Sequence, residues 1–152
     1  MRRIWAALGF VYFWLSWPLV IVYLRVTRPR ARLLISHNDT VLAVKNWHGP
    51  RTWILPGGGV GRNEDPAQAV IREIHEELGL ILEPAAVQYL GLHVSSELGV
   101  MVKYHLYSLD LSSLPKLQIN PWEIIAHDWL QVSELKERKS ILGDSVRTWL
   151  ER

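Results

Sequence analysis

The sequence predicts an α+β fold in which a mixed sheet packs with one long central helix, preceded by a single hydrophobic N-terminal helix. The first observation behind this prediction is a run of 21 uncharged residues from Ile4 to Leu24. The second is a set of strand-like segments, rich in β-branched and aromatic residues, on both sides of residues 65–79. The third is the helical periodicity of that central segment, where apolar residues recur every three or four positions.

Length and composition limit the possible classes of protein. The 152-residue chain suffices for one domain with a hydrophobic core, and the absence of cysteine excludes disulfides, thiolate metal sites and cysteine nucleophiles. The net charge of +2 is unevenly distributed: residues 1–32 hold six arginines and no acid, whereas residues 33–152 hold 11 basic and 15 acidic side chains. The basic character belongs to the N-terminal segment, so we expect no nucleic-acid binding by the rest of the chain.

The hydrophobic segment, residues 4–24, is the first predicted element. As a helix it would extend about 31 Å, close to the hydrocarbon thickness of a bilayer, and it would be apolar all round its axis. Arginines follow in the short basic linker "RVTRPRAR", and this excess favours a cytoplasmic location for the downstream domain. The segment therefore predicts a single-pass membrane protein, with residues 1–31 as transmembrane helix and linker and residues 32–152 as a globular domain.

Three other interpretations of this segment stay open. A cleaved signal peptide has a shorter apolar region and a small-residue cleavage site, which "YLRVTRPRAR" does not supply. A helix buried within one soluble protein would have to be covered on all sides by a small domain. A helix buried in an oligomer is the third, and the sequence predicts no oligomeric state.

Strand-like runs lie on both sides of the central helix. Three precede it: "RLLIS", "TVLAVKNW" and "TWIL". The first two are separated by "HND", which is a hairpin signal. Three follow it: "VQYLGLHVSS", "VMVKYHLYSLDL" and "EIIAHDWL". "SELKERK" then predicts a short helix, and "ILGDSVRTWLE" is an amphipathic pattern at the C-terminus.

The central helix has clear start and stop signals. Asp65 is a good N-cap, Pro66 suits the first helical position, and Gly79 suits the left-handed residue that ends a helix. One face carries an apolar stripe of Ala67, Val70, Ile71, Ile74 and Leu78. We expect this face to pack on a sheet.

A cluster of carboxylates lies beside that stripe and follows a glycine-rich loop. Glu73, Glu76 and Glu77 are spaced so that they project together from the helix, where like charges repel. For an arbitrary helix this would indicate a solvated acidic face. The adjacent Arg72 and the loop "PGGGVGRNE" favour another interpretation, in which the carboxylates share a hard cation such as Mg²⁺, because that ion prefers oxygen ligands.

The stretch from Gly58 to Leu80, "GGVGRNEDPAQAVIREIHEELGL", resembles the signature of the Nudix hydrolases. Every fixed position of that signature is filled: Gly58, Glu64, Arg72, Glu73, Ile74, Glu76, Glu77, Gly79 and Leu80. One mild departure is Asn63, where the family often has glycine, although asparagine tolerates positive φ better than most residues. The order of elements from about Arg32 onward also resembles the Nudix-type α/β/α sandwich.

The resemblance implies a function and a set of residue roles. It implies hydrolysis of a nucleoside diphosphate linked to another moiety, using Mg²⁺ or Mn²⁺ as cofactor. Carried over by position, Glu76 and Glu77 match the principal metal ligands, and Glu73 matches a residue that binds metal or that orients or deprotonates water. The carbonyl of Gly58 matches a backbone ligand. Glu73, Glu76 and Glu77 are therefore the expected catalytic residues.

Other residues are candidates for supporting roles in this site. Glu64 and Arg72 match an ion pair that fixes the glycine-rich loop on the helix. Some family members take a further acid from a loop near the last strand, and Glu123 is the best candidate for a metal ligand there, with Glu97 second. The candidates for substrate contact are Trp47, His48 and Arg51. Trp53 fits a place in the core equally well.

Two rival functions can be weighed against a hydrolase. A non-catalytic Nudix-fold binding or regulatory module is the alternative, although such modules usually lack some of the signature residues. An isoprenoid isomerase is disfavoured because that branch uses a cysteine. The substrate stays open, since the chain lacks the marks that the family associates with ADP-ribose, dinucleoside polyphosphates or NADH.

Overall fold

The structure is a computed structural model that describes residues 2–16, 19, 29–47, 51–97, 100–137, 146 and 149. The elements in chain order are α1 (Arg2–Leu15), β1 (Arg30–His37), β2 (Thr40–Asn46), α2 (Pro66–Leu78), a 3₁₀ turn (Pro84–Ala86), β3 (Gln88–Glu97), β4 (Val100–Asp110), β5 (Ile124–Gln131) and α3 (Val132–Glu137). The predicted α+β class, with a mixed sheet and an N-terminal helix, is confirmed.

A five-stranded mixed sheet organises these elements in the order β3-β4-β1-β2-β5. The pair β1–β4 is parallel, and the β1–β2, β2–β5 and β3–β4 pairs are antiparallel. The predicted hairpin joins β1 to β2, and Asn38 in its turn has a φ of 51°. The two strands are paired next to this turn, at Ser36–Val41 and His37–Thr40.

The segment between β2 and α2, which contains the glycine-rich loop, forms isolated bridges to both strands of this hairpin. These bridges lie farther from the turn than the residues at which β1 and β2 pair with each other. Ile54 forms an isolated antiparallel bridge with Val44 on β2, and Gly59 forms one with Arg30 on β1. The segment predicted as the short strand "TWIL" thus forms isolated bridges, at Trp53 and Ile54, in place of a strand. These bridges hold the loop at the level of the sheet, against the first residues of β1.

Helix α2 covers one face of the sheet. Asp65 Oδ1 accepts hydrogen bonds from the N–H groups of Ala67 at 2.8 Å and Gln68 at 3.3 Å, as an N-cap does. Gly79 has a φ of 69° and donates its N–H to His75 O at 2.9 Å. The apolar residues buried on the inner face are Ala69, Val70, Ile74 and Leu78, and Ala67 and Ile71 are partly buried against the same core. The predicted caps and apolar stripe are confirmed.

A second hydrophobic layer covers the opposite face of the sheet. Its buried members are Leu34, Val41, Leu55, Tyr104, Leu106, Leu135 and Val146. Trp53 is partly buried against this layer, and Lys45 Nζ lies 4.4 Å from the centre of its ring. Leu135 belongs to α3, which confirms the predicted short helix. The C-terminal pattern at residues 141–151 lies outside the described residues except for positions 146 and 149.

The predicted membrane-spanning helix over residues 4–24 is wrong. Within the described ranges, no helix is both long enough and apolar enough to cross a bilayer. Helix α1 has 14 residues and ends at Leu15, so it extends about 21 Å, whereas a span needs about 30 Å. Three further predictions depended on this span and are no longer supported: a membrane partner, a single-pass topology and a cytoplasmic catalytic domain. Positions 17, 18 and 20–24 of the predicted span lie outside the described residues.

Helix α1 instead packs against the segment that follows β2. Gly9 lies so close to Trp47 that a Cβ at this glycine would be 2.8 Å from the indole Cε2 atom. The rings of Tyr12 and Trp47 are stacked, with centroids 6.2 Å apart. The guanidinium of Arg51 lies over the ring of Phe10, 5.2 Å from its centroid. One face of the hydrophobic helix is therefore engaged by the domain itself.

The boundary predicted between residues 31 and 32 stays a prediction. Strand β1 begins at Arg30, so it already includes two residues that the sequence assigned to the basic linker. Ala31 and Leu33 on this strand are fully buried, and Arg32 between them is only 3% exposed. Arg32 is thus buried and is not part of an exposed run of charge.

Candidate metal centre

Three carboxylates from two parts of the chain meet at the C-terminal half of α2. Glu73 and Glu77 lie one turn apart on α2, and Glu123 comes from the turn that precedes β5. An oxygen of each side chain lies within 4.8 Å of an oxygen of the other two. No other group of three or more acidic or histidine side chains in the described part of the chain is this close.

Glu77 is the buried member of this group, with 3% of its surface exposed. Its Oε2 accepts a hydrogen bond from the N–H of Gly57 at 2.8 Å. Burial raises the pKa of Glu77 to about 7, against the opposing effects of Arg32 and the Gly57 N–H, while Glu73 and Glu123 raise this pKa further. A divalent cation suits such a site, because it would offset both the repulsion and the desolvation.

Glu123 is held at the site by Asn120. The side-chain Nδ2 of Asn120 donates to Glu123 Oε1 at 2.9 Å, and its backbone N–H donates to Glu77 O at 3.0 Å. Asn120 thus joins the loop before β5 to the C-terminal end of α2, where helix carbonyls need partners. Partial burial, followed by the charges of Glu73 and Glu76, raises the pKa of Glu123.

Arg72 connects the glycine-rich loop to the carboxylates of α2. Its Nε and Nη2 donate to the two oxygens of Glu64 at 2.9 and 3.2 Å, and Nη2 also donates to Gly59 O at 3.1 Å. Its Nη1 donates to Glu73 Oε1 at 2.9 Å and to Glu76 Oε2 at 3.2 Å. The structure therefore brings together the predicted Glu64–Arg72 pair. Glu76, with a side chain 47% exposed, lies outside the group of three carboxylates.

The same ion pair orders the loop that precedes α2. The Arg72 hydrogen bonds, and then the N–H of Gly61 at 2.5 Å, hold the pKa of Glu64 below its usual range. Asn63 adopts a φ of 62°, so the departure from glycine places asparagine in the left-handed region that it tolerates.

Two consecutive glycines make close contacts between the loop, β1 and α2. A Cβ at Gly58 would collide with the carboxylate of Glu73, and a Cβ at Gly57, which has a φ of 123°, would collide with Ala31 O. The carbonyl of Gly58, predicted as a backbone metal ligand, accepts a hydrogen bond from the N–H of Ala31 at 2.9 Å. A carbonyl oxygen has two lone pairs, so this hydrogen bond is compatible with the predicted role of Gly58, which stays a prediction.

Two of the three residues predicted to contact substrate, Trp47 and Arg51, lie against α1. The N–H of Trp47 donates to Glu123 O at 2.6 Å, while its indole contacts α1. Arg51 is exposed and lies over an aromatic ring of α1. His48 lies outside the described residues. Glu97, the second candidate for a further acid, is the last residue of β3.

Sequence-based reasoning missed two residues that support the site. Arg32 is buried and donates through Nη1 to Leu55 O at 3.1 Å and to Gly57 O. From the sequence, Arg32 was interpreted as one of the charges that follow a membrane segment. Its place at the start of the strand-like run "RLLIS" was nevertheless a signal for burial. Asn120, which orients Glu123, gave no recognisable signal.

The fold and the site define an α+β domain with a carboxylate cluster suited to a divalent cation. The family model of the NUDIX domain matches residues 26–150. The chain therefore belongs to the Nudix family, and the recognition based on residues 58–80 is confirmed.

Individual relatives share shorter or more divergent stretches with this chain. Diphosphoinositol polyphosphate phosphohydrolase 3-alpha of Homo sapiens is 45% identical over 45 residues, which are 30% of this chain and 27% of that protein. RNA pyrophosphohydrolase of Halorhodospira halophila is 38% identical over 64 residues, which are 42% of this chain and 34% of that protein. These matches span about a quarter to a third of the length of the curated relatives.

Among solved structures, the MutT NUDIX hydrolase from Burkholderia pseudomallei superposes on this chain with a TM-score of 0.68 at 27% identity. The match covers 82% of this chain and 97% of the other. The similarity in fold thus extends over nearly all of the domain.

Proposed function

We propose that this chain is a Nudix-type pyrophosphohydrolase that hydrolyses the diphosphate linkage of a nucleoside diphosphate linked to another moiety, using Mg²⁺ or Mn²⁺. The observation that carries the proposal is the group formed by Glu73, Glu77 and Glu123, whose oxygens lie within 4.8 Å of one another around a buried side chain. Membership of the Nudix family supports it, as do the names of relatives that act on diphosphoinositol polyphosphates and on RNA as pyrophosphohydrolases.

The donor set fits a hard divalent cation, since it offers carboxylate oxygens and no nitrogen or sulfur. Glu73, Glu77 and Glu123 would hold it. Two further predicted ligands adjoin Glu73: Gly58 lies against its carboxylate, and Glu76 shares the Arg72 Nη1 donor with it. Each of the three carboxylates is oriented by a separate donor: Arg72, the Gly57 N–H and Asn120, respectively. A bound cation would neutralise charge on a diphosphate and lower the pKa of a bound water.

A non-catalytic binding module is the alternative function. It would use the same acidic group to hold a cation and a diphosphate without turning the ligand over. The complete set of signature residues from Gly58 to Leu80 favours the hydrolase. The two functions differ in one measurable property, which is release of product.

The test is a screen of the full chain against compounds that contain a pyrophosphate bond. We suggest nucleotide sugars, dinucleoside polyphosphates, a diphosphoinositol polyphosphate and an RNA oligonucleotide with a 5′ pyrophosphate bond, each with Mg²⁺, Mn²⁺ or EDTA. Products are separated by anion-exchange chromatography. We expect metal-dependent release from at least one nucleoside diphosphate derivative and none in EDTA, and the RNA tests the expectation of no nucleic-acid substrate.

Matched glutamine substitutions show whether turnover belongs to the proposed site. Glu77→Gln keeps the size of the side chain and removes its charge, so turnover should fall by orders of magnitude. Glu83→Gln makes the same change at an exposed position after α2 and should leave turnover intact. Binding of a diphosphate without turnover by the unmodified chain would favour the binding module, and full activity of Glu77→Gln would refute the assigned site.

A further inference from the structure

Arg32 on β1 is a buried cation next to the proposed metal centre. Only 3% of its surface is exposed, although arginine is rarely buried unless its charge is compensated. Its Nη1 donates to Leu55 O at 3.1 Å and also to Gly57 O. The guanidinium thus binds the backbone on both sides of Pro56, at the start of the glycine-rich loop.

Arg32 and Glu77 are hydrogen-bonded to the same backbone residue, Gly57. The N–H of Gly57 donates to Glu77 Oε2 at 2.8 Å, while the carbonyl of the same residue accepts from Arg32. Burial raises the pKa of Glu77, and the charge of Arg32 is the largest of the influences that lower it. Gly57 is therefore linked on one side to the arginine and on the other to the carboxylate.

We propose that Arg32 is a positioning residue of the metal centre, which fixes the backbone of residues 55–57 and thereby the orientation of the Glu77 carboxylate toward a bound cation. The inference rests on the proposed function, because it needs that cation site. In this role Arg32 acts through the backbone of Gly57 and not by contact with the cation or the substrate. Loss of a donor that orients a ligating side chain typically costs about 10- to 100-fold in metal affinity or activity.

This role predicts a change in metal affinity with a sign opposite to that expected from charge alone. Arg32 is a positive charge beside a cation site, so Coulomb repulsion alone predicts stronger cation binding when it is removed. If Arg32 positions Glu77, its removal instead allows the loop and the carboxylate to shift, and cation binding weakens. The sign of the change thus separates the two effects.

The experiment measures Mn²⁺ binding by electron paramagnetic resonance, with no substrate present, in variants of the full chain. Arg32→Met keeps much of the length of the side chain without its charge or donors, and we expect its Mn²⁺ dissociation constant to rise about 10- to 100-fold. Arg32→Lys keeps the charge and one donor group, and we expect it to restore part of the affinity. Lys116→Met, at an exposed position of the β4–β5 loop, removes one positive charge and should leave Mn²⁺ binding unchanged.

A combined variant shows whether the effect acts through Glu77. In a Glu77→Gln background, Arg32→Met should cause little further loss of Mn²⁺ affinity, whereas an independent effect would add fully. Circular dichroism and thermal unfolding establish that each variant is folded. If Arg32→Met does not fold, Arg32→Lys carries the test, and we expect a few-fold weaker binding because an ammonium cannot reproduce the guanidinium geometry.

Unchanged or tighter Mn²⁺ binding in Arg32→Met, or an affinity of Arg32→Lys equal to that of the unmodified chain, would overturn the inference. Failure of the proposed function has a different signature. An unmodified chain that binds Mn²⁺ and hydrolyses no diphosphate would refute the hydrolase and leave the role of Arg32 in place. An unmodified chain that does not bind Mn²⁺ would refute both.

Discussion

Replacing Glu77 with glutamine is expected to change the pH dependence of stability in the cation-free protein. The folded-state pKa of Glu77 is about 7, against an ordinary value of 4.5, because the side chain is buried. The folded protein therefore holds this proton more tightly than the unfolded chain does, so stability falls as the pH rises from 4.5 to 7. This loss in the free energy of unfolding is absent below pH 4.5 and complete above pH 7, and it amounts to about 3 kcal/mol.

The assay is thermal unfolding in EDTA, across a pH range from about 4 to about 8, for the unmodified chain and Glu77→Gln. For a chain of this size, a difference of about 3 kcal/mol corresponds to roughly 6–12 °C in Tm. The Tm of the unmodified chain should fall by that amount relative to Glu77→Gln as the pH rises. Glu83→Gln, which changes an exposed glutamate, should follow the unmodified chain.

Parallel curves for the unmodified chain and Glu77→Gln would refute the reasoning, because they would show that burial does not perturb this carboxylate. Added Mg²⁺ provides a second check. It should raise the Tm of the unmodified chain above pH 7, since a bound cation takes the place of the proton, and it should leave Glu77→Gln nearly unaffected.

Three further substitutions test the surroundings of the site. Arg72→Ala should lower the free energy of unfolding by about 1 kcal/mol in urea denaturation and raise the Mg²⁺ concentration needed for half-maximal activity; unchanged values of both would exclude a supporting role. Asn120→Ala should weaken Mn²⁺ binding about 10-fold in calorimetric titration by releasing Glu123, and an unchanged affinity would contradict this. Gly9→Leu should displace Trp47 and destabilise the protein by about 2 kcal/mol, and an unaltered Tm would show that α1 does not pack there.

The central helix could be predicted from sequence because its determinants are local. Asp65, Pro66 and Gly79 each act on backbone groups within four residues of themselves, and the apolar stripe depends only on helical periodicity. The spacing on the same helix also placed Glu73 and Glu77 together. The partial exception is Glu76, which shares that side of the helix but is more exposed and bonds to Arg72.

The N-terminal helix shows where composition misleads. An uncharged run such as residues 4–24 indicates burial, but hydropathy does not distinguish burial in lipid from burial against protein. The stacking of Tyr12 on Trp47 and the contact between Gly9 and Trp47 depend on a residue more than thirty positions away. A window confined to the helix itself could not predict such contacts.

The remaining parts of the site depend on tertiary structure. Glu123 is nearly fifty residues beyond Glu77 and reaches it because β5 and the loop before it return to the end of α2. Arg32 appears in the sequence as one of several arginines that follow the hydrophobic run. Its burial follows from the position of the glycine-rich loop against β1, which no local pattern encodes.

The site gathers carboxylates at the C-terminal end of α2, where negative charge is electrostatically unfavourable. The C-terminal end of α2 already carries the negative end of the helix dipole, and Glu77 adds a buried carboxylate there beside Glu73 and Glu123. Arg72 offsets part of this repulsion through its hydrogen bond to Glu73, and the positive charge of Arg32 offsets part of it at Glu77. A divalent cation can offset the remainder, because it supplies two charges and accepts several oxygen ligands at once. On the proposed function, this locally destabilised centre would be stabilised by a bound cation, and for that reason Glu77→Gln is expected to raise the stability of the cation-free protein and to lower turnover by orders of magnitude.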